Sequence, residues 1–249
     1  MSDFATHTLI TGATSGIGQS LALRLAASRK LILHGRNPEA LEQLRRHCKS
    51  PEQHLVWDFD LLRLEELEAS LASFLADRAA AVTALVHCAG VAPLQPMRLA
   101  NLAGIENLMR VNFTSAALVT STLLRRRANP GALSAIVFVS SIASRFGVNG
   151  LNLYSASKGA LDALVTSLAV ELAPAVRVNS VQPGGLPPRG ERTADSQQLV
   201  DKLKELAPLG LGTPDDVAAT IEFLLSENAR WITGQHIVVD GGFTTDATL

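Results

Sequence analysis

Apolar residues fall along this chain in short, nearly continuous runs, separated by longer stretches in which they recur every three or four positions. The runs are HTLIT (7 to 11), KLILH (30 to 34), HLVW (54 to 57), TALVH (83 to 87), AIVFVS (135 to 140), VRVNSV (176 to 181) and HIVVD (236 to 240). A strand with one wet face alternates apolar and polar residues. An unbroken apolar run suits a strand covered on both faces, the condition of a parallel sheet with helices above and below it. The pattern therefore predicts a doubly wound α/β fold of about seven strands. The helical stretches carry their own start signals. Thr14 or Ser15 is placed to cap a helix over GIGQSLALRLAAS, and Asn37, followed by Pro38 and Glu39, reads as an N-cap with proline at the first helical position. No repeat, low-complexity tract or Gly/Ser linker divides the chain, so residues 1–249 read as one domain.

One stretch breaks the regularity: PGGLPPRGERTADSQQ (183 to 198), rich in glycine, proline and charge, directly follows the sixth run. Loops after strand C-termini border the ligand crevice of a parallel sheet, so the segment around 184–206 is expected to act as a substrate lid. Near the other end, Gly12, Gly16 and Gly18 stand between the first strand and the first helix. Glycines there let the backbone turn tightly and approach a pyrophosphate, whose charge is favoured by free helix N–H groups and the helix dipole. Such a turn alone is a weak signal; behind the first strand of an α/β pattern it points to a dinucleotide.

The second run ends in LILHGRN, without the acid that would hold the 2′-hydroxyl of an adenosine ribose. Arg36 stands there instead. A cation at a helix start opposes the dipole, so helix stability does not explain it, whereas a charge-assisted contact with a 2′-phosphate does. NADP(H) is thus expected in preference to NAD(H); the plain alternative is a solvent-facing arginine. Asp58, just past the third run, is a candidate acceptor for the adenine amino group, and equally an ordinary loop or capping acid.

Composition narrows the partners. Twenty-two basic and 23 acidic residues leave a net charge of −1, which offers no field for nucleic acid or an anionic membrane. No apolar stretch approaches the length of a membrane span, and MSDFATHTLITG lacks a basic region followed by a long apolar one, so a cytoplasmic protein is expected. Cys48 and Cys88 suggest no disulfide framework, and no Cys/His pairs stand at zinc spacing, so no metal is expected.

The chemistry concentrates in YSASK, 154 to 158. Tyr154 is the only tyrosine in the chain and stands four residues before Lys158, on the same face of a helix. An arbitrary Y-x-x-x-K is usually a solvated helix face. A phenol, with an ordinary pKa near 10, is a poor acid–base group at neutral pH unless something favours the phenolate, and a cation one helical turn away does that.

Taken together, TGATSGIG (11 to 18), Ala89 and Gly90 in HCAG, Asn112 in RVNFTSA, SS (140 to 141), YSASK, VNSVQPGG (178 to 185), PLGLGTPDDVA (208 to 218) and ITGQHIVVDGG (232 to 242) resemble the short-chain dehydrogenase/reductase family over about residues 6 to 243. The resemblance implies a Rossmann-type oxidoreductase in which Tyr154 exchanges a proton with a carbonyl or alcohol, Ser141 holds the substrate oxygen, Lys158 also binds the nicotinamide ribose, and Asn112, inside the long helix after the fourth strand, holds a water in a proton relay. Ser141 is preferred to Ser140 by its spacing from Tyr154; Ser144 is a nearby hydroxyl with a capping or packing role. The cofactor would lie against Gly12, Thr14, Ser15, Gly16, Ile17, Gly18, Arg36, Asp58, Ala89, Gly90, Tyr154, Lys158, Pro183, Gly184 and Leu186.

The chain departs from the family pattern in places. Pro188 stands where a threonine commonly contacts the carboxamide, which leaves the Leu186 N–H or a later residue for that contact. His87 and Cys88 replace two asparagines before Ala89, and Leu211 replaces a frequent cation. The general resemblance is to 3-oxoacyl-acyl-carrier-protein reductases. Arg125, Arg126 and Arg127 fall where these dock an acidic carrier, although cations also suit a helix C-terminus, and Val170 replaces a second docking arginine. A 3-oxoacyl thioester, a free, steroid-like or aromatic ketone and a sugar derivative all stay open, with Arg189 and Arg192 available for an anionic substrate. A homotetramer is implied by resemblance. A non-catalytic NADP(H) sensor is the reading from another class, disfavoured because serine, tyrosine and lysine are all in register; a nucleotide-sugar epimerase is disfavoured by the glycine spacing.

Overall fold

The computed structural model describes residues 4–131, 133–187, 200–201 and 204–245. Each apolar run forms a strand: β1 (Ala5–Thr11), β2 (Leu31–Gly35), β3 (Leu55–Asp58), β4 (Ala80–His87), β5 (Ala135–Val139), β6 (Arg177–Pro183) and β7 (His236–Val239). They pair in parallel as one sheet of order β3-β2-β1-β4-β5-β6-β7. Strands β2 and β5 are buried at every position, which is why they read as unbroken apolar runs.

Helices cover both faces. On one lie α1 (Gly16–Leu25), α2 (Pro38–His47) and α7 (Pro214–Leu225), which bury Leu21, Leu25, Leu41, Leu44, Val217, Ile221 and Leu224. On the other lie α3 (Leu64–Asp77), α5 (Ser115–Leu124) and α6 (Asn152–Leu172), with Leu67, Leu71 and Leu75, then Ala116, Val119 and Leu123, then Leu161, Val165 and Leu168. Spacings of three and four place each set on a single apolar stripe, and burying each large side chain contributes about 1.5–3 kcal/mol. No helix among the described residues is long and apolar enough to cross a membrane.

The chain runs outward from β1 to β2 and β3, then returns to lay β4 against the other side of β1. Neighbouring loops leave a crevice at such a reversal, at the C-terminal ends of the strands. Here the loop after Thr11 and the loop after His87 flank it, joined by Cys88 N–H donating to the Thr11 carbonyl at 3.1 Å. Of the two candidate caps, Ser15 closes α1, accepting from Gly18 N–H at 3.1 Å; Asn37 caps α2, accepting from Ala40 N–H at 2.8 Å.

One expected element differs. The long helix after β4 is interrupted: α4 (Leu102–Met109) and α5 are joined by a π-helical turn, Arg110–Thr114, with Asn112 at its centre. A π-turn displaces the backbone from the regular helical register and recurs at functional sites. Much of the expected lid, including Pro188, Arg189 and Arg192, lies outside the described residues.

Candidate active site

Two cavities meet beneath the glycine-rich turn. The larger, about 760 Å³, is lined by Ser15, Gly16 and Ile17 at one end and by Ser141, Tyr154, Lys158, Pro183, Gly184 and Leu186 at the other. The smaller, about 240 Å³, is lined by Gly12, Thr14, Gly35, Arg36, Asp60 and Ala89. Ser15, Cys88, Gly90 and Val91 border both, so the two form one path over the ends of β1 and β4. The residues fit a dinucleotide laid along it. Gly12 has φ +64°, and a Cβ there would stand 2.8 Å from the Ala89 backbone. The first turn of α1 holds no acid to repel a pyrophosphate, and Arg36 is exposed at the far end.

Some predicted residues serve the site indirectly. A Cβ on Gly18 would come within 2.3 Å of the Gly12 carbonyl oxygen, so Gly18 allows α1 to start against the turn. A Cβ on Gly184 would strike Asp240 at 2.6 Å, so glycine is required there by packing. Asp58 is not brought to the cavities. It is exposed and lines neither cavity; strand pairing runs one rung further, with Phe59 N–H on the Gly35 carbonyl at 3.0 Å, so the chain turns into the smaller cavity at Asp60.

At the other end, α6 carries Tyr154 and Lys158 into the larger cavity, and the turn after β5 carries Ser141. Lys158 is buried; its Nζ donates to the Val139 carbonyl at 2.8 Å and lies 5.7 Å from the centre of the Tyr154 ring. Burial pushes its ammonium down to about 8, so it is still mostly protonated at neutral pH. Burial also holds the Tyr154 phenol above its ordinary value, while a hydrogen bond with Ser141 acts the other way. The phenol is therefore neutral at rest, the state a proton donor needs. Ser141 Oγ accepts from Ala143 N–H at 3.1 Å, which leaves the serine's own proton to be donated elsewhere. Ser140, by contrast, is buried, with its hydroxyl 3.4 Å from the Lys158 carbonyl.

Asn112 lines neither cavity. Its side chain acts as a surrogate peptide: Oδ1 accepts from Val91 N–H at 2.8 Å, and Nδ2 donates to the Val91 carbonyl at 2.9 Å and to Ser157 Oγ at 3.0 Å. It ties the π-turn to the loop after β4 and to the helix of Tyr154. A Cβ on Gly90 would lie 3.3 Å from Lys158 Nζ and 3.4 Å from Asn112 Oδ1, so glycine gives these two side chains room.

A family profile described as enoyl-(acyl carrier protein) reductase matches residues 12–244. The chain belongs to the short-chain dehydrogenase/reductase family. It is an oxidoreductase acting on alcohol and carbonyl groups with a nicotinamide cofactor. Within the family it is 35% identical to the L-xylulose reductase of Bos taurus over 239 residues, covering 94% of this chain and 95% of that protein. It is 33% identical over 243 residues to the 3-oxoacyl-acyl-carrier-protein reductase of Aquifex aeolicus, covering 94% and 95%. A gluconate 5-dehydrogenase from Burkholderia cenocepacia, solved in complex with NADP and tartrate, superposes with a TM-score of 0.86 at 28% identity, covering 97% of this chain and 96% of that one.

Two buried histidines lie beneath the turn; sequence reasoning noted His87 only as a replacement for an asparagine and missed His34, which lies inside an apolar strand. His34 Nε2 donates to the Phe59 carbonyl at 3.1 Å, while its Nδ1 accepts from Gly12 N–H at 3.4 Å. His87 Nδ1 pairs with Thr11 Oγ1 at 2.9 Å. Burial pushes His34 down to about 4; burial, then the charge of Lys158, push His87 down to about 3. The unfolded chain takes up these two protons below about pH 6.5, before the folded one does. The stability they contribute is whole above that pH. It falls as pH drops towards 4, by up to about 1.4 kcal/mol per unit for each ring. Urea unfolding across this range should show the fall, and His87→Asn should make it shallower by about one proton; an unchanged slope would mean that His87 is charged in the fold.

Proposed function

We propose that the chain is an NADPH-dependent reductase of small ketones flanked by hydrocarbon. The observation that carries this reading is the convergence of Ser141, Tyr154 and Lys158 on one cavity, continuous with a second that Arg36 borders. The bound nicotinamide supplies the hydride. Ser141 donates a hydrogen bond to the carbonyl oxygen, and Tyr154 delivers its phenolic proton to that oxygen as negative charge develops there. Lys158 spends one ammonium proton on Val139, which leaves two for the ribose hydroxyls, and its charge stabilises the phenolate left behind. Asn112 keeps α6 and the loop after β4 in register.

The walls support this substrate class. Around Ser141 and Tyr154 the cavity is lined by Val91, Ala92, Val139, Leu186 and Pro187, with Leu94, 76% exposed, on the adjoining loop. Ser141 and Tyr154 are taken up by the carbonyl oxygen, and these apolar walls offer no side-chain partner for another. Each further hydroxyl of a sugar buried there would lack a partner, at about 1–3 kcal/mol. A carrier-bound thioester is less well supported: Arg125 is held by Glu68 at 2.7 Å, and position 170 is an 80% exposed valine. That valine and Trp231, 91% exposed, are the kind of surface apolar side chain a homo-oligomer would cover.

The test is NADPH consumption with an alicyclic ketone, xylulose and a 3-oxoacyl thioester. The alicyclic ketone is expected to exceed xylulose in kcat/KM by about 100-fold. A preference for xylulose would overturn the substrate class; tight NADPH binding with no consumption on any of them would favour the sensor.

A further inference from the structure

We propose that Asp162 is a positioning residue for the hydroxyl of Ser141, acting through Gln182 and Ser144. The inference rests on the role given to Ser141 above. Asp162 follows Tyr154 and Lys158 at steps of four along α6, so the three share a helix face, but it lines neither cavity. Its carboxylate is turned towards β6. Oδ2 accepts from Gln182 Nε2 at 2.7 Å, and Oδ1 accepts from Ser180 Oγ at 3.1 Å.

From Gln182 the connection runs to the catalytic turn. The second proton of Nε2 goes to Ser144 Oγ at 3.1 Å, and Ser144 Oγ donates to the Ser141 carbonyl at 2.8 Å. The donor inventory forces every direction in this chain. An amide nitrogen only donates, so Ser144 must accept from it and spend its own proton on Ser141. A carboxylate only accepts, so an amide turned the other way would set oxygen against oxygen. The orientation is kept although Gln182 Oε1, in a fully buried side chain, finds no partner among the described residues.

Ser180 extends the anchor to the last strand. Its single proton is taken by Asp162, so it accepts from His236 Nδ1, at 2.7 Å, and His236 Nδ1 also lies 3.4 Å from Asp162. Asp162 thus fastens α6, β6 and β7 to the short turn that presents Ser141. Such a turn of three residues has little rigidity of its own, and a misplacement of about 1 Å at a reacting group costs up to about 100-fold in rate. A second consequence concerns Lys158. The buried Cys88 thiol, pushed up to about 12, is neutral at neutral pH, so the negative charge facing the ammonium from its own helix is that of Asp162.

The experiment compares Ser144→Ala, Asp162→Asn and the double variant in the full chain. Each single variant is expected to lower kcat about tenfold and to leave KM for NADPH within about twofold. The double should lose no more than the worse single, because both cuts fall in one chain. Multiplied losses, or a Ser144→Ala kcat within about twofold of wild type, would overturn the proposal. Ser144→Ala removes one hydroxyl and decides the matter even if Asp162→Asn does not fold.

Tyrosinate absorbance gives a readout without turnover, since Tyr154 is the only tyrosine. A displaced Ser141 should raise its titration point in both variants, as in Ser141→Ala. Loss of the Asp162 charge acting through space alone would lower it. If the wild type reduces no ketone while the titrations move upward, the reductase reading fails and the positioning stands. If Ser141→Ala alone moves, the positioning fails.

Discussion

Replacing Tyr154 by phenylalanine is expected to lower kcat by about 1,000-fold or more while leaving the dissociation constant for NADPH within about twofold of wild type. The substitution removes one hydroxyl and keeps the ring. Lys158 retains its bond to the Val139 carbonyl and its place over an aromatic face, so the cofactor side of the cavity is unchanged. What disappears is the phenol, a neutral acid at rest that becomes an anion beside a buried ammonium when it gives up its proton. Single-turnover reduction followed at the nicotinamide absorbance, with NADPH affinity measured separately by fluorescence, separates the two effects. Turnover within tenfold of wild type would place the proton donor elsewhere, and a matching loss of NADPH affinity would make Tyr154 a binding residue.

Arg36→Ala should weaken NADPH by about 10- to 100-fold and change NADH by less than about twofold, as expected for one or two charge-assisted bonds to a 2′-phosphate. Its position supports this reading. β2 ends in Gly35, buried against the smaller cavity, and Arg36 is the exposed cation on the rim where an acid would hold a ribose hydroxyl. Because the guanidinium is exposed, the discrimination between the cofactors should shrink as salt is raised. Equal losses for both would mean that Arg36 meets the pyrophosphate or the adenine, and the preference for NADPH would need another source.

Features carried by local pattern were legible before the fold was known. Seven apolar runs became seven strands, and the inner ones are nearly unbroken because both of their faces are covered. Asn37, and Thr14 or Ser15, were recognisable as caps because a capping oxygen reaches only three residues along the chain; the fold chose Ser15. Tyr154 and Lys158 were recognisable as a pair because one helical turn joins them. Asp58 falls outside both cavities, because where a strand stops depends on the neighbour it pairs with; here the Gly35 carbonyl holds Phe59 for one more rung, and Asp60 is the acid that lines the smaller cavity.

Asn112, His34 and Asp162 mark the other side of that boundary. Asn112 could be matched by resemblance, yet its contacts with Val91 and Ser157 exist only because a π-turn aims it at a loop 21 residues earlier and a helix 45 residues later. His34 reads as one more strand residue until Gly12 and Phe59 are brought to its two nitrogens. The sequence by itself determined the fold class, the glycine-rich turn and the shared helix face of Tyr154 and Lys158, since each follows from steric and hydrogen-bonding rules acting within a few residues. Only the tertiary structure decided the order of the strands, the joining of two cavities into one path, and the connection from Asp162 to Ser141. These depend on groups far apart in the chain, whose burial leaves each polar atom only those partners that folding brings within reach.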